Sequence, residues 1–331
     1  MLHRLPVEWA SKLLEDAEEV TDAAVETMTV CRPDRWADAE YQFIADQKAK
    51  DLAYDMENNG KGLIVSQRTD ALIQLGCTGS VVWDAAVVLA RCLEFWGRTG
   101  LVDLHGARVV ELGAGCGLTG CVAAALGAHV LLTDQAERLS LLQHNVSLNA
   151  HLFRSPRNAE SSQASKMSKR VKGKSKSATK GKVNVRSSLE EPKNPNSNST
   201  EKGRLDTSMM GSAEACELDW ESRDMSGFKP VDLVIATDCV FNELVVPMMI
   251  QAMRTLSESE PGDDTFAATE DTDYCRPTMV INCMEMRCAE VHEVFLEEAL
   301  QYFQVFRLPE SSFHPKYTHP RIVVYVMKLI E

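Results

Sequence analysis

The stretch VVELGAGCGLTG, residues 109–120, decides the fold. Its opening residues, VVEL, read as a short β-strand, because β-branched side chains favour the extended backbone. The strand runs directly into Gly113, Gly115 and Gly117, and then into the helix-forming segment LTGCVAAALG, 118–127. Glycine is needed where a backbone turns sharply or must lie against a ligand, and the first turn of a helix presents unpaired N–H groups. Strand, glycine turn and helix together form a cradle at the carboxyl end of a central strand.

Outward from that cradle the pattern repeats. AHVLLTD (128–134) reads as a second strand and AERLSLLQHNVSLNAHL (136–152) as a second helix. Further on come the strand in KPVDLVIATDCVF (229–241), the helix VVPMMIQAMRTL, the strand TMVINCM (278–284), the helix AEVHEVFLEEALQYF, and the strands QVFRLP and RIVVYVMKLI (321–330). Short apolar strands alternating with helices predict right-handed βαβ units in a parallel sheet, with an antiparallel pair at its C-terminal edge. Upstream, GSVVWDAAVVLARCLEFW predicts a helix opened by Gly79 and Ser80 and running to about Trp96. Residues 1–62, with WASKLLEDAEEVTDAAVETM and AEYQFIADQKAKDLAYDM, read as an acidic helical extension.

The expected architecture is therefore α/β and Rossmann-like, with one domain over 63–330 broken by two inserts. Residues 154–212 are rich in Ser, Lys, Asn and Gly and nearly devoid of large apolar side chains, so they are read as disordered. Their Lys/Arg cluster from Lys166 to Lys182 suits a nuclear-import signal, a contact for RNA or an acidic partner, or a solvated loop. The second insert, 257–277, is acidic and lacks periodicity.

Composition narrows the function. At 331 residues and 44% hydrophobic content the chain can bury a sizeable core, and its net charge of −13 argues against general nucleic-acid binding while suiting a basic protein partner. No stretch reaches the roughly 18 apolar residues of a membrane span, and the start turns acidic where a secretory signal would carry its apolar core. The expected compartment is the cytoplasm, with the nucleus as a second. The ten cysteines include no CxxC pair and no histidine at zinc spacing, so reduced thiols and no metal are expected. Nothing points to an obligate dimer, and a monomer is expected.

Asp134 ends the second strand about 20 residues after Gly113, where an acid in a doubly wound fold accepts hydrogen bonds from the two ribose hydroxyls of a nucleoside. The string GCGLTG (115–120) also satisfies GxGxxG. In a dinucleotide site the first glycine would follow the strand directly; that register, GAGCGL from Gly113, lacks the third glycine. Glu111, at the strand end, is placed to hold a ligand's amino group. S-adenosylmethionine (SAM) fits these residues better than a dinucleotide, with a purely structural turn as the remaining reading.

The set VVWDAAVVLA, VVELGAGCGLTG, AHVLLTD, ELDW and DLVIATDCVF resembles the seven-β-strand protein-lysine methyltransferases of the methyltransferase-like 21 group, also called family 16. The resemblance covers about 63–153 and 213–330. It implies a class I SAM-dependent fold and, as substrates, lysines of folded proteins, prominently translation elongation factor 1-alpha and certain chaperones or AAA-type ATPases. It implies that Trp83 covers the SAM site, that Gly113 and Gly115, with Ala114 between them, face the methionine portion, that Asp134 binds the ribose, and that Asp219 and Trp220 flank the adenine. It implies that Thr237 makes only backbone contact with the cofactor. The Asp-x-x-Tyr or Asp-x-x-Phe motif is matched by Asp238 and Phe241, which implies a catalytic pair, with phenylalanine leaving ring packing or a cation–π role in place of a hydroxyl contact. The lesser alternatives are Asp238 as a cap on the next helix and Trp83 as a core aromatic, while Glu285 with Arg287 suits the substrate entrance or, equally, a surface ion pair. Two other functions share the cofactor half of the site: a SAM methyltransferase for RNA or a small molecule, and a SAM-binding scaffold without catalysis. No NPPY-like run, usual for planar nitrogens, follows the fourth strand.

Overall fold

The computed structural model describes residues 7–29, 44–57, 62–70, 78–153, 211–222, 224–258 and 277–330. Nearly all of the expected disordered insert, the Lys166–Lys182 cluster within it, and most of the acidic loop lie outside these residues.

In chain order the elements are α1 (Val7–Leu13), β1 (Glu18–Val20), α2 (Asp22–Thr29), β2 (Asp51–Asp55), β3 (Gly62–Ser66), α3 (Asp84–Thr99), β4 (Arg108–Leu112), α4 (Leu118–Ala125), β5 (His129–Asp134), α5 (Leu139–Leu148), β6 (Ser212–Glu217), β7 (Leu233–Thr237), α6 (Val246–Ser257), β8 (Met279–Glu285), α7 (Ala289–Leu300), β9 (Phe303–Arg307) and β10 (Ile322–Leu329). Eight strands form one mixed sheet in the order β1-β9-β10-β8-β7-β4-β5-β6. From β6 to β8 all neighbours are parallel; β10 lies antiparallel between β8 and β9, and β1 runs antiparallel along β9. Parallel strands covered on both faces read as continuous apolar runs, and every residue of β8 is buried. One face packs α3, α4 and α5; the other packs α2, α6 and α7.

The chain leaves β4 toward β5 and β6 and then returns to pair β7 on β4's other side. That reversal opens a crevice at the carboxyl ends of β4 and β7, where doubly wound sheets take ligands.

Three sequence expectations are corrected. The α/β core has the seven expected strands, but β1 adds an eighth, drawn out of a helix-like acidic stretch by pairing Val20 with Val305. Residues 51–55, read as helix, form β2 instead and pair with β3 in a separate hairpin. Tertiary contacts override helix propensity here. Tyr54 is buried, its hydroxyl donates to Glu94 at 2.6 Å, and the Arg91 guanidinium lies 3.9 Å from its ring. The other edge of β3 is closed by Asn145 of α5 and by Asn149 just past its end: Asn149 exchanges two hydrogen bonds with the backbone of Ile64, and Asn145 does the same with Ser66. The hairpin straddles residue 62, and residues 1–153 form one compact unit with 210–331.

The third correction is the start of α3. Trp83 is extended (φ −93°, ψ 154°) and the helix begins at Asp84, while Thr78–Ser80 forms a separate 3₁₀ turn. Asp84 is buried and its carboxylate accepts the N–H groups of Ile44 and Ala45, which holds the helix start against the N-terminal segment. No described helix is long and apolar enough to cross a membrane.

Candidate functional site

The loop after β4 holds Gly113 and Gly115 at φ 61° and 53°, the left-handed region that costs a residue with a side chain about 1–2 kcal/mol. Space excludes a side chain as firmly as conformation does. A Cβ on Gly113 would stand 2.6 Å from the Cys239 sulfur and 3.2 Å from the Trp220 ring, and one on Gly115 would stand 3.3 Å from the Cα of Gly79. The loop is thus pressed between the turn at Gly79 and the segment after β7, with the first turn of α4 behind it.

The Gly115 N–H donates to Asp134 Oδ2 at 2.7 Å, and the Gln135 N–H donates to Oδ1 at 2.8 Å. Burial raises the Asp134 carboxyl above its usual range, and the two N–H groups partly oppose that shift. Glu111 is 1% exposed, and burial pushes its carboxyl up to about 8. Its Oε2 accepts the Gly120 N–H at 3.0 Å, and Thr237 Oγ1 approaches Oε1 at 3.5 Å. A buried acid with so few partners is suited to receiving a cationic group.

The residues that the resemblance assigns to cofactor binding and catalysis all line one cleft of about 260 Å³, namely Trp83, Glu111, Gly113, Ala114, Gly115, Asp134, Asp219, Trp220, Thr237, Asp238 and Phe241, whereas Glu285 and Arg287 do not line it. Trp83 forms a wall, with its indole N–H donated to the Thr78 carbonyl at 2.8 Å. Asp219 sits just past β6, where its carboxylate accepts the Glu221 N–H and shapes the turn that presents Trp220. Gly79, Arg138, Cys239 and Met248 also line the cleft and were missed. Gly79 stands two residues from the nearest apolar run and carries no motif of its own.

Asp238, on the same cleft, follows β7 with φ 56° and a nearly buried side chain, and its N–H donates to the Cys283 carbonyl at 2.8 Å. A non-glycine residue in that conformation is strained and is commonly found at functional sites. Its side chain does not cap the next helix. Oδ1 accepts from Arg287 at 2.9 Å and from the Glu285 N–H at 3.2 Å, and Oδ2 accepts from the other Arg287 nitrogen. Glu285 and Arg287 therefore join Asp238 in one network. Phe241 lies at the mouth, 45% exposed.

The sequence profile described as lysine methyltransferase matches residues 58–167 and 196–273, more than half of the chain. The chain belongs to the lysine methyltransferase family. Among relatives of this family, protein N-lysine methyltransferase METTL21A of Danio rerio is 57% identical over 70 residues, 21% of this chain and 30% of that protein. EEF1A lysine methyltransferase 3 of Xenopus tropicalis is 46% identical over 68 residues, 20% of this chain and 29% of that protein. The matched stretches span about a third of these relatives' length. Among solved structures, the tRNA (uracil-54, C5)-methyltransferase of Pyrococcus abyssi in complex with S-adenosyl-L-homocysteine aligns with 85% of this chain and 45% of that one at 12% identity and a TM-score of 0.37. The donor set of the cleft fits SAM. Backbone N–H groups, a buried acid, a second acid at the end of β5 and two indoles surround the cleft.

Proposed function

We propose that the chain is a protein-lysine N-methyltransferase acting on a lysine of a folded cytosolic protein. The observation that carries this reading is that one cleft brings the Gly113–Gly115 loop, Glu111 and Asp134 together with Asp238 and the exposed ring of Phe241. In this reading Asp134 receives the ribose hydroxyls, Glu111 the amino group, Trp220 and Asp219 flank the adenine, and Trp83 closes the wall. When bound, SAM supplies an electrophilic methyl group on a sulfonium.

The chain's own residues prepare the amine. A lysine ammonium has an ordinary pKa near 10.4, so it must lose a proton and its water shell before it can attack. Asp238 accepts a hydrogen bond from the incoming nitrogen, Phe241 packs its ring against the lysine stem, and the narrow cleft aligns the nitrogen with the methyl group. Alignment supplies most of the rate enhancement in such a displacement. The acidic surface suits a basic partner.

The test is incubation of the purified chain with tritiated SAM and a cytosolic extract, followed by gel separation and mass spectrometry. A sharp labelled protein band carrying methyl-lysine is the expected result, and the relatives' names make translation elongation factor 1-alpha the first protein to look for. Label confined to RNA or small molecules would overturn the reading. Asp238→Asn should abolish label while SAM still binds.

A further inference from the structure

Arg287 follows β8 in the sequence MEMR and does not itself line the cleft. Its guanidinium spans both oxygens of Asp238, pairs with Glu285 Oε2 at 2.8 Å, and stands 4.8 Å from the centre of the Trp83 ring. Behind it, Arg321 pairs with Glu285 Oε1 at 2.8 Å. Arg321, Glu285, Arg287 and Asp238 thus form a row of alternating charge that ends at the cleft. The carboxylates of Asp238 and Glu285 are 2% and 5% exposed.

A carboxylate offers about four lone-pair directions. Arg287 takes two on Asp238 and the Glu285 N–H takes a third, so one acceptor direction remains, on Oδ2. An amine arriving beside Trp83 meets a carboxylate whose plane is set by a two-pronged guanidinium and which has a single acceptor to offer. A lysine at 287 would keep the charge but lose the planar, paired contact. Stability alone is a poor explanation for the row, since buried ion pairs contribute little beyond what apolar side chains of similar volume would.

We propose that Arg287 is a positioning residue for methyl transfer, acting through Asp238 and Trp83 to fix the direction from which the target amine enters. This inference rests on the lysine-methylation reading. Misplacement of a reacting group by about 1 Å costs on the order of a hundredfold in rate. Arg287→Lys should therefore lower the saturating rate on the band that the wild-type chain labels by about a hundredfold, with SAM affinity changed less than about twofold. In Arg287→Ala, added guanidinium ions should restore part of the rate and methylammonium should not; a merely structural arginine would not show that selectivity.

A second readout needs no turnover. Urea unfolding of Arg287→Lys, Asp238→Asn and the double variant should give non-additive changes in midpoint. Additive changes would show that the pair does not form in solution and would overturn the inference. A wild-type rate in Arg287→Lys would overturn it while leaving lysine methylation standing, whereas an unlabelled wild-type reaction would overturn the function beneath it.

Discussion

Asp134 accepts the backbone N–H of Gly115 at 2.7 Å, so the residue that ends β5 also fixes the glycine loop that begins after β4. Hydrogen bonds to a charged group contribute about 1.5–3 kcal/mol, and about 1.4 kcal/mol is a factor of ten in affinity. Asp134→Ala removes both this bond and the proposed acceptor for the ribose. Its dissociation constant for SAM should rise at least tenfold by calorimetry, whereas Asp238→Ala should leave that constant nearly unchanged. Equal losses in the two variants would contradict the separate roles given to Asp134 and Asp238.

Gly113 and Cys239 meet across the same crevice, and the contact is tight enough for a compensating pair of substitutions. Gly113→Ala places a methyl group 2.6 Å from the Cys239 sulfur at φ 61°. Crowding and backbone strain at about 1–3 kcal/mol each should weaken S-adenosylhomocysteine binding by at least about thirtyfold. Adding Cys239→Ala removes the closest clash but neither the strain nor the 3.2 Å approach to Trp220, so the double variant should recover part of the affinity. No recovery would mean that the backbone conformation and Trp220 suffice to exclude alanine.

Much of this site was legible from the chain because it lies at the carboxyl ends of parallel strands. There a buried apolar run stops at a polar or glycine residue, as VVEL stops at Gly113, HVLLT at Asp134 and LVIAT at Asp238. What was not legible depends on partners distant in sequence. DLAYD is ambiguous between helix and strand until β3 and Arg91 are brought beside it. The grip of Arg287 on Asp238 depends on β7 and β8 lying side by side with Thr237 level with Cys283, a register that no local pattern encodes. Gly79 matters only because Gly115 folds against it.

Glu111 gives the protein a pH dependence of predictable sign. Burial pushes its carboxyl up to about 8, against about 4.3 in an unfolded chain. Across the window between those values the folded protein holds a proton that the unfolded chain has released. The Glu111 contribution therefore makes stability fall as pH rises from about 4.5 to about 8, by up to about 1.4 kcal/mol per pH unit, and then level off. Subtracting the profile of Glu111→Gln from that of the wild type should isolate this slope. If Glu111 also receives the amino group of SAM, the arriving positive charge favours its ionised form, and binding at pH 7 should release a proton. Calorimetry in two buffers of different ionisation enthalpy measures that release, which should be largely lost in Glu111→Gln. Proton-neutral binding by the wild type would remove Glu111 from the amino-group role.

Asn145 links the N-terminal hairpin to the cofactor loop. Its amide nitrogen donates to the Ser66 carbonyl at 3.0 Å and to the Cys116 carbonyl at 2.9 Å, and its oxygen accepts the Ser66 N–H. Asn149, one turn later, makes the corresponding pair with Ile64 but does not reach the loop. The two residues should therefore separate stability from binding. Asn145→Ala and Asn149→Ala each leave partly buried backbone groups of β3 unpaired, at up to about 1 kcal/mol for each group, and both should lower the urea midpoint. Only Asn145→Ala also frees the Cys116 carbonyl inside the glycine loop, so only it should weaken S-adenosylhomocysteine binding by more than its loss of stability accounts for. Comparable loss of affinity in Asn149→Ala would show that the hairpin acts on the loop through the whole length of β3, and not through the single amide of Asn145.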